Sequence, residues 1–308
     1  MLVGPDIGID AAAVRVGDRI VIAKADPITF TADQMGWYAV HVNANDVACM
    51  GAEPKWFLAV LLLPERSTTQ EVVEHLFRDI ANACREVGAT LIGGHTEITP
   101  GLDRPLIAGF MLGETREAGL LRLSNCEPED RLVLANGIAI EATAIIAREF
   151  ADELRDSYDE DFLNRCQNFI FRPGISVLKA AREARRAVQP RAMHDPTEGG
   201  LATALHEIAD ATGYGIEVYE EHIPVLPEAK VLCDQYDLDL LGVISSGALI
   251  IVTGPDEAAP LVKHLHSRGI RAAEIGKLVA NPERRVLIHG SEESALPRFD
   301  QDEIVKLF

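Results

Sequence analysis

The sequence contains no apolar run long enough to cross a bilayer. Its longest runs, FLAVLLL at 57–63 and GALIIV at 247–252, have the length of buried strands. The first ten residues, MLVGPDIGID, carry neither the basic segment nor the apolar core of a secretion signal. The five cysteines, at 49, 84, 126, 166 and 233, never fall in a CxxC spacing, so they read as ordinary buried thiols. These absences predict a reduced, cytoplasmic protein with no membrane association. Basic residues are also scarce: 29 Lys and Arg face 48 Asp and Glu, for a formal charge of −19. A nucleic-acid backbone needs a basic face, so general nucleic-acid binding is disfavoured. A polyanionic ligand such as a nucleotide would need a divalent metal to screen it from these carboxylates.

What is present is enough apolar residue, 47% of 308, for a large core and two domains. From residue 19 the elements alternate. RIVIAKADPITF is strand-like, DQMGWYAVHVNANDVACMG is helical, and KWFLAVLLLP is again a strand. TTQEVVEHLFRDIANACREVG is an amphipathic helix opened by Thr68 or Thr69 and closed by Gly88, and ATLIGG and RPLIAGFMLGE follow as strands. The pattern predicts an α/β (α+β) layer of about four strands with two long helices on one face. Periodicity is lost over TREAGLLRLSNCEPED, which places a domain boundary there and divides the chain into 1–122 and 123–308. The second part reads as another α/β unit. Its strands are RLVLAN, RAMHD, GIEVYE, SGALIIVTG, AAEIGKL and RRVLIHG, and its helices lie near 140–153, 159–168, 174–187 and 198–211.

Polar islands interrupt this apolar framework. In HVNANDVACMGAEP, Asn43 and Asp46 are three apart and share a helix face. Burying an amide and a carboxylate without partners costs several kcal/mol, so a partner is expected. Asp10 in GPDIGIDAAAV, Asp26 in KADPITF, and GGHTEITPG at 93–101 are further islands. Each has a bland reading as a turn former or cap. Together, the three aspartates resemble hard-oxygen ligands for Mg²⁺. In the second unit, MHDPTEGGLATALHEIA ends a strand at His194 and enters an apolar helix through Gly199 and Gly200. Free N–H groups there could bind an anion; equally, Asp195 or Thr197 could cap the helix.

DAAAV, ADPITF, NANDVACMGAEP, GGHTE and HDPTEGGLATAL occur in the order found in the aminoimidazole ribonucleotide synthetase (PurM-like) superfamily, which the chain resembles over nearly its whole length. The resemblance is strongest to HypE-like members, through VNANDVACMGAEP and MHDPTEGGLATAL. It implies a two-domain PurM-like fold: an N-terminal mixed sheet that binds ATP and dimerises, and a C-terminal AIR synthase-like α/β domain. It also implies a homodimer with Mg-ATP in a cleft between subunits. Asp10, Asp26 and Asp46 match the positions that hold Mg²⁺ and phosphates, with Asn43 beside them on the same motif. Gly93, Gly94 and Thr96 match a second phosphate-proximal turn. Asp195 and Thr197 match a motif directed at nucleotide and acceptor, with His194 as an acceptor-site candidate. His95 is either a phosphate contact or base, or a structural imidazole; Glu97 is either a further metal ligand or an exposed turn acid. Glu198 and Glu207 read as helix-surface residues.

The family pattern also has departures. HypE proper ends in a cysteine that accepts a carbamoyl group, whereas this sequence ends DEIVKLF. The segment that carries the reactive residues of selenophosphate synthetase has no counterpart, relatives usually carry a segment before the first aspartate motif, and GIAIEATAII at 137–146 holds less glycine than theirs. The expected activity is therefore Mg-ATP-dependent phosphorylation of an amide or acid oxygen on a small diffusible acceptor. Alternatives are a small-molecule kinase resembling thiamine-monophosphate kinase, or a non-catalytic nucleotide-binding assembly factor that works with a maturation partner protein.

Overall fold

The computed structural model describes residues 1–5, 8, 9, 11–28 and 34–308. It divides into two compact units, Met1–Leu120 and Leu121–Phe308. The first contains β1 (Ala12–Val16), β2 (Arg19–Ile28), α1 (Met35–Cys49), β3 (Glu53–Pro64), α2 (Gln70–Val87), β4 (Thr90–Thr99) and β5 (Leu106–Thr115). Its mixed sheet has the order β1-β2-β5-β3-β4, with β3 and β4 parallel and the other pairs antiparallel. Five strands replace the expected four because the short alanine-rich β1 folds back on β2.

Helix α1 is buried almost all round, from Met35 to Cys49, between the sheet and α2. Two glycines of β5 let it approach closely. A Cβ on Gly109 would lie 2.7 Å from the Asn43 side-chain nitrogen, and one on Gly113 would lie 2.3 Å from Val47. Helix α2 begins as its sequence predicts, with Thr69 Oγ1 accepting from the Val72 N–H at 3.3 Å, and ends at Gly88 with φ 83°. It buries only the stripe Leu76, Ile80, Ala83, Cys84 and Val87, so its other side meets water.

Period-2 alternation divides the residues of β3 and β5 between two faces. Phe57, Ala59, Leu61, Ile107 and Met111 are buried on the helix side. Leu58, Val60, Leu62, Leu106 and Ala108 on the opposite face are only half-buried, and Phe110 is 39% exposed.

The second unit contains β6 (Arg131–Ala135), α3 (Ile140–Glu149), α4 (Ala151–Leu154), α5 (Glu160–Gln167), α6 (Leu178–Ala187), β7 (Ala192–His194) and α7 (Gly200–Thr212). It continues with β8 (Gly215–Tyr219), α8 (Pro227–Gln235), β9 (Leu249–Thr253), α9 (Ala258–Ser267), β10 (Ala272–Val279), β11 (Arg285–His289) and β12 (Glu292–Ala295). The seven-stranded sheet runs β12-β11-β8-β10-β6-β9-β7. Helices α8 and α9 were not foreseen: the first has Pro227 at its start and the second Pro260 in its first turn, where a missing N–H costs little. One apolar core joins Leu132, Leu134, Ile250 and Val252 of the sheet to Leu201, Leu205 and Ile208 of α7.

Candidate functional site

The acidic residues of the first unit meet where β2 outruns β1. The last β1–β2 pair is Ala12 with Ala23, so Lys24, Asp26 and Pro27 lie on a stretch of β2 paired only with β5 among the described strands. A proline is tolerated on such an edge. Lys24 and Asp26 are two apart and share a strand face. Lys24 Nζ lies 3.1 Å from Asp26 Oδ2 and 2.8 Å from Asp46 Oδ2 of α1. One ammonium thus joins the two carboxylates, and it has only 14% of its side chain exposed, while Asp46 has 6%. Asp10 lies outside the described residues.

Asn43 has a different use from the one its motif suggested. Its Oδ1 accepts from the Asp26 N–H at 3.0 Å, and its Nδ2 donates to the Ala39 carbonyl at 2.8 Å and, at 3.4 Å, to the Asp26 carbonyl. The fully buried amide replaces the missing β1 rung and fixes the backbone that carries Asp26. The partners of Asn43 and Asp46 inside the chain therefore include the Asp26 backbone for the amide and Lys24 for the carboxylate. The sequence stretch KADPITF contained Lys24, but a lysine in a strand carries no local signal of such a bridge.

The GGHTE segment is not a turn. Gly93, Gly94, His95, Thr96 and Glu97 lie inside β4, the edge strand beyond β3, and β5 and β3 separate it from β2. The glycine pair serves a bulge: the β3 register jumps from Phe57 opposite Leu91 to Leu58 opposite Gly93. Gly94 adopts φ 144°, and a Cβ there would lie 1.9 Å from the Ala59 carbonyl oxygen. His95 and Glu97 share an exposed face, with Nε2 3.7 Å from Oε2. Among the described residues no three His, Cys, Asp or Glu side chains form a metal-holding group, so Glu97 does not join Asp26 and Asp46 within one chain.

In the second unit, β7 ends at the buried His194, followed by the buried Asp195. His194 Nε2 lies 2.9 Å from Glu207 Oε2, so Glu207, expected on the surface of α7, reaches back to that imidazole. The N-cap of α7 is Gly199 at φ 74°, not Asp195 or Thr197; the Thr197 carbonyl instead accepts from the Gly200 and Ser245 N–H groups. The Gly199 N–H, expected to meet a phosphate, donates at 2.7 Å to Asp302 Oδ2 near the end of the chain. An internal carboxylate therefore satisfies that donor. Burial raises the Asp302 pKa against the lowering effect of N–H groups from Ile304, Gly199 and Ile244. Close by, burial pushes the carboxyl of Glu141, in the first turn of α3, up to about 7; Ser246 hydrogen-bonds to it, and Glu198 and Asp302 add repulsion.

All five cysteines are buried and none is in a disulfide. Burial pushes the Cys84 thiol up to about 11 and those of Cys126, Cys166 and Cys233 up to about 12. A protonated, buried thiol is a poor nucleophile.

Residues 8–115 match the family model for the N-terminal domain of AIR synthase related proteins, and residues 127–289 match that for the C-terminal domain. A putative hydrogenase expression/formation protein of Methanocaldococcus jannaschii is 28% identical over 276 residues, covering 87% of this chain and 78% of that protein. The carbamoyl dehydratase HypE of Rhizobium leguminosarum bv. viciae is 29% identical over 283 residues, covering 89% and 78%. A hydrogenase maturation protein HypE solved in complex with ATP superposes with a TM-score of 0.75 at 23% identity, covering 98% of this chain and 92% of that one. Matched across both domains and sharing the mixed α/β architecture of HypE, the chain belongs to the AIR synthase related protein family.

Proposed function

We propose that this protein is a Mg-ATP-dependent enzyme that phosphorylates an amide or acid oxygen of a small diffusible acceptor. The observation that carries this reading is the convergence of the Asp26 and Asp46 carboxylates on one cation position. The donor set fits Mg²⁺, a hard cation that takes one or two carboxylates and completes its shell with water and phosphate oxygens. Asp26 and Asp46 would hold that ion, which supplies charge neutralisation during phosphoryl transfer. Asn43 keeps Asp26 in place through the β2 backbone. The acceptor oxygen bonds to the γ-phosphorus as the bond to the β–γ bridging oxygen breaks and ADP leaves. His194, steadied by Glu207, together with Asp195 and Thr197, is assigned to the acceptor side. The relatives' names support ATP chemistry of the HypE kind, and the burial of all five cysteines favours an acceptor other than a thiol of these residues.

The same reading includes a homodimer formed through the first unit. Its support is the half-exposed apolar face of β3 and β5, with Phe110 at its centre, and the exposed Ile92 and Ile98 on edge strand β4. In such a dimer His95 and Glu97, paired with Val60 and Leu62 and so on the same face, would lie at the seam, within reach of a shared nucleotide. Light scattering across dilution checks this part: a dimer at micromolar concentration is expected, and a monomer there removes it. Product analysis by ³¹P NMR during turnover with candidate acceptors tests the reaction. Free phosphate with a dehydrated or ligated product is expected. A stable phosphorylated acceptor would assign the chain to the kinases, and ATP binding without turnover would make it a non-catalytic factor.

A further inference from the structure

We infer that Lys24 is a displaceable cation that holds Asp26 and Asp46 together until a divalent metal replaces it between them. The geometry is specific. Lys24 Nζ sits within ion-pair distance of one oxygen from each carboxylate, 3.1 and 2.8 Å away, on a side chain largely removed from solvent. Two carboxylates brought to one point repel, and the ammonium cancels that repulsion. A divalent ion bound to the same oxygens would stand within a few ångströms of Nζ, where like charges exclude each other. Metal and ammonium therefore compete for this place. Lysine suits the exchange: its compact charge rides on a four-carbon stem that turns away without moving the strand, and a lysine ammonium binds phosphate as a point charge. After displacement, Lys24 turns toward the triphosphate; this second half rests on the ATP reading above. The competition itself does not.

The arrangement predicts that metal alone binds weakly and that nucleotide strengthens it by giving the displaced ammonium a new partner. The test is titration with Mn²⁺ as the probe, without nucleotide, following the free ion by EPR. Lys24→Met is expected to bind Mn²⁺ at least tenfold more tightly than wild type, and its melting temperature to rise with Mn²⁺. Lys24→Arg, which keeps the charge, should stay close to wild type, which separates charge from packing. Because Lys24→Met leaves two carboxylates without their cation, at a cost to folding, a second measurement uses the wild-type protein alone. Amine labelling read by mass spectrometry should modify Lys24 several-fold faster in saturating Mn²⁺. Equal Mn²⁺ affinity in wild type and Lys24→Met, including none in either, would overturn the proposal, as would labelling of Lys24 unchanged by the metal. Either result alongside normal Mg-ATP binding would leave the nucleotide reading standing. Failure of wild type to bind Mg-ATP, with the Mn²⁺ competition intact, would remove the nucleotide reading alone.

Discussion

Replacing Glu141 with glutamine should stabilise the protein at pH 8 and leave it nearly unchanged at pH 4.5. The carboxyl lies in the first turn of α3, where helix geometry favours a negative charge, but burial outweighs that preference. Ser246 offers one hydrogen bond, while Glu198 and Asp302 repel the ionised form. The folded-state pKa is therefore raised from its ordinary 4.5 to about 7. Such a group contributes its full stability below the unfolded value and loses it as pH rises through the folded one. The loss for a lift of this size is roughly 3 kcal/mol, at about 1.4 kcal/mol per pH unit. Glutamine keeps the shape and a hydrogen bond to Ser246 but does not ionise. Urea denaturation of both proteins from pH 4.5 to 8.5 measures the difference directly, with the other titrating groups common to both. The variant should gain on wild type between pH 4.5 and 7 and hold a margin of about 3 kcal/mol above that. A difference that stays flat across this range would show that Glu141 ionises freely in the folded protein and refute the burial argument.

Asn43 and the buried cysteines carry three further outcomes. Asn43→Ala leaves the Asp26 N–H without its acceptor and should cost about 2 kcal/mol in urea denaturation, together with a weaker Mn²⁺ affinity; an unperturbed midpoint would show that the amide does not clamp β2. Thiol reagents should label none of the five cysteines in the native protein and all five in denaturant. Intact mass should likewise be unchanged after incubation with ATP, Mg²⁺ and a carbamoyl donor system, and a stable adduct on any of the five would return the chain to thiol-based chemistry.

What the sequence disclosed follows from how local each signal is. Helix α2 was legible because its apolar stripe, Thr69 cap and Gly88 stop all lie within one short stretch. The alternation of strands and helices in the first unit was legible for the same reason, whereas β1, five residues rich in alanine, carried too little pattern. The strand ATLIGG was legible up to its glycine pair, but the resemblance implied a turn at 93 and 94, where positive φ instead serves a strand bulge against the Ala59 carbonyl. That Asn43 and Asp46 need partners was legible from burial alone. The identity of those partners was not, since Lys24 and the Asp26 backbone reach them only through the packing of α1 on β2. The Gly199 N–H looked free to the sequence because the carboxylate that takes it, Asp302, is 103 residues away.

If Asp26 and Asp46 form the cation site of a nucleotide-binding enzyme, calorimetric titration with Mg-ATP must separate wild type from Asp46→Asn. The asparagine keeps the size of the side chain and removes its charge, so the comparison isolates the ligand role. Wild type should bind Mg-ATP, and the variant should show no measurable binding while its circular-dichroism spectrum stays that of wild type. Unchanged affinity in a folded Asp46→Asn protein would remove Asp46 from the site and with it the cation site proposed for the Asp26–Asp46 pair.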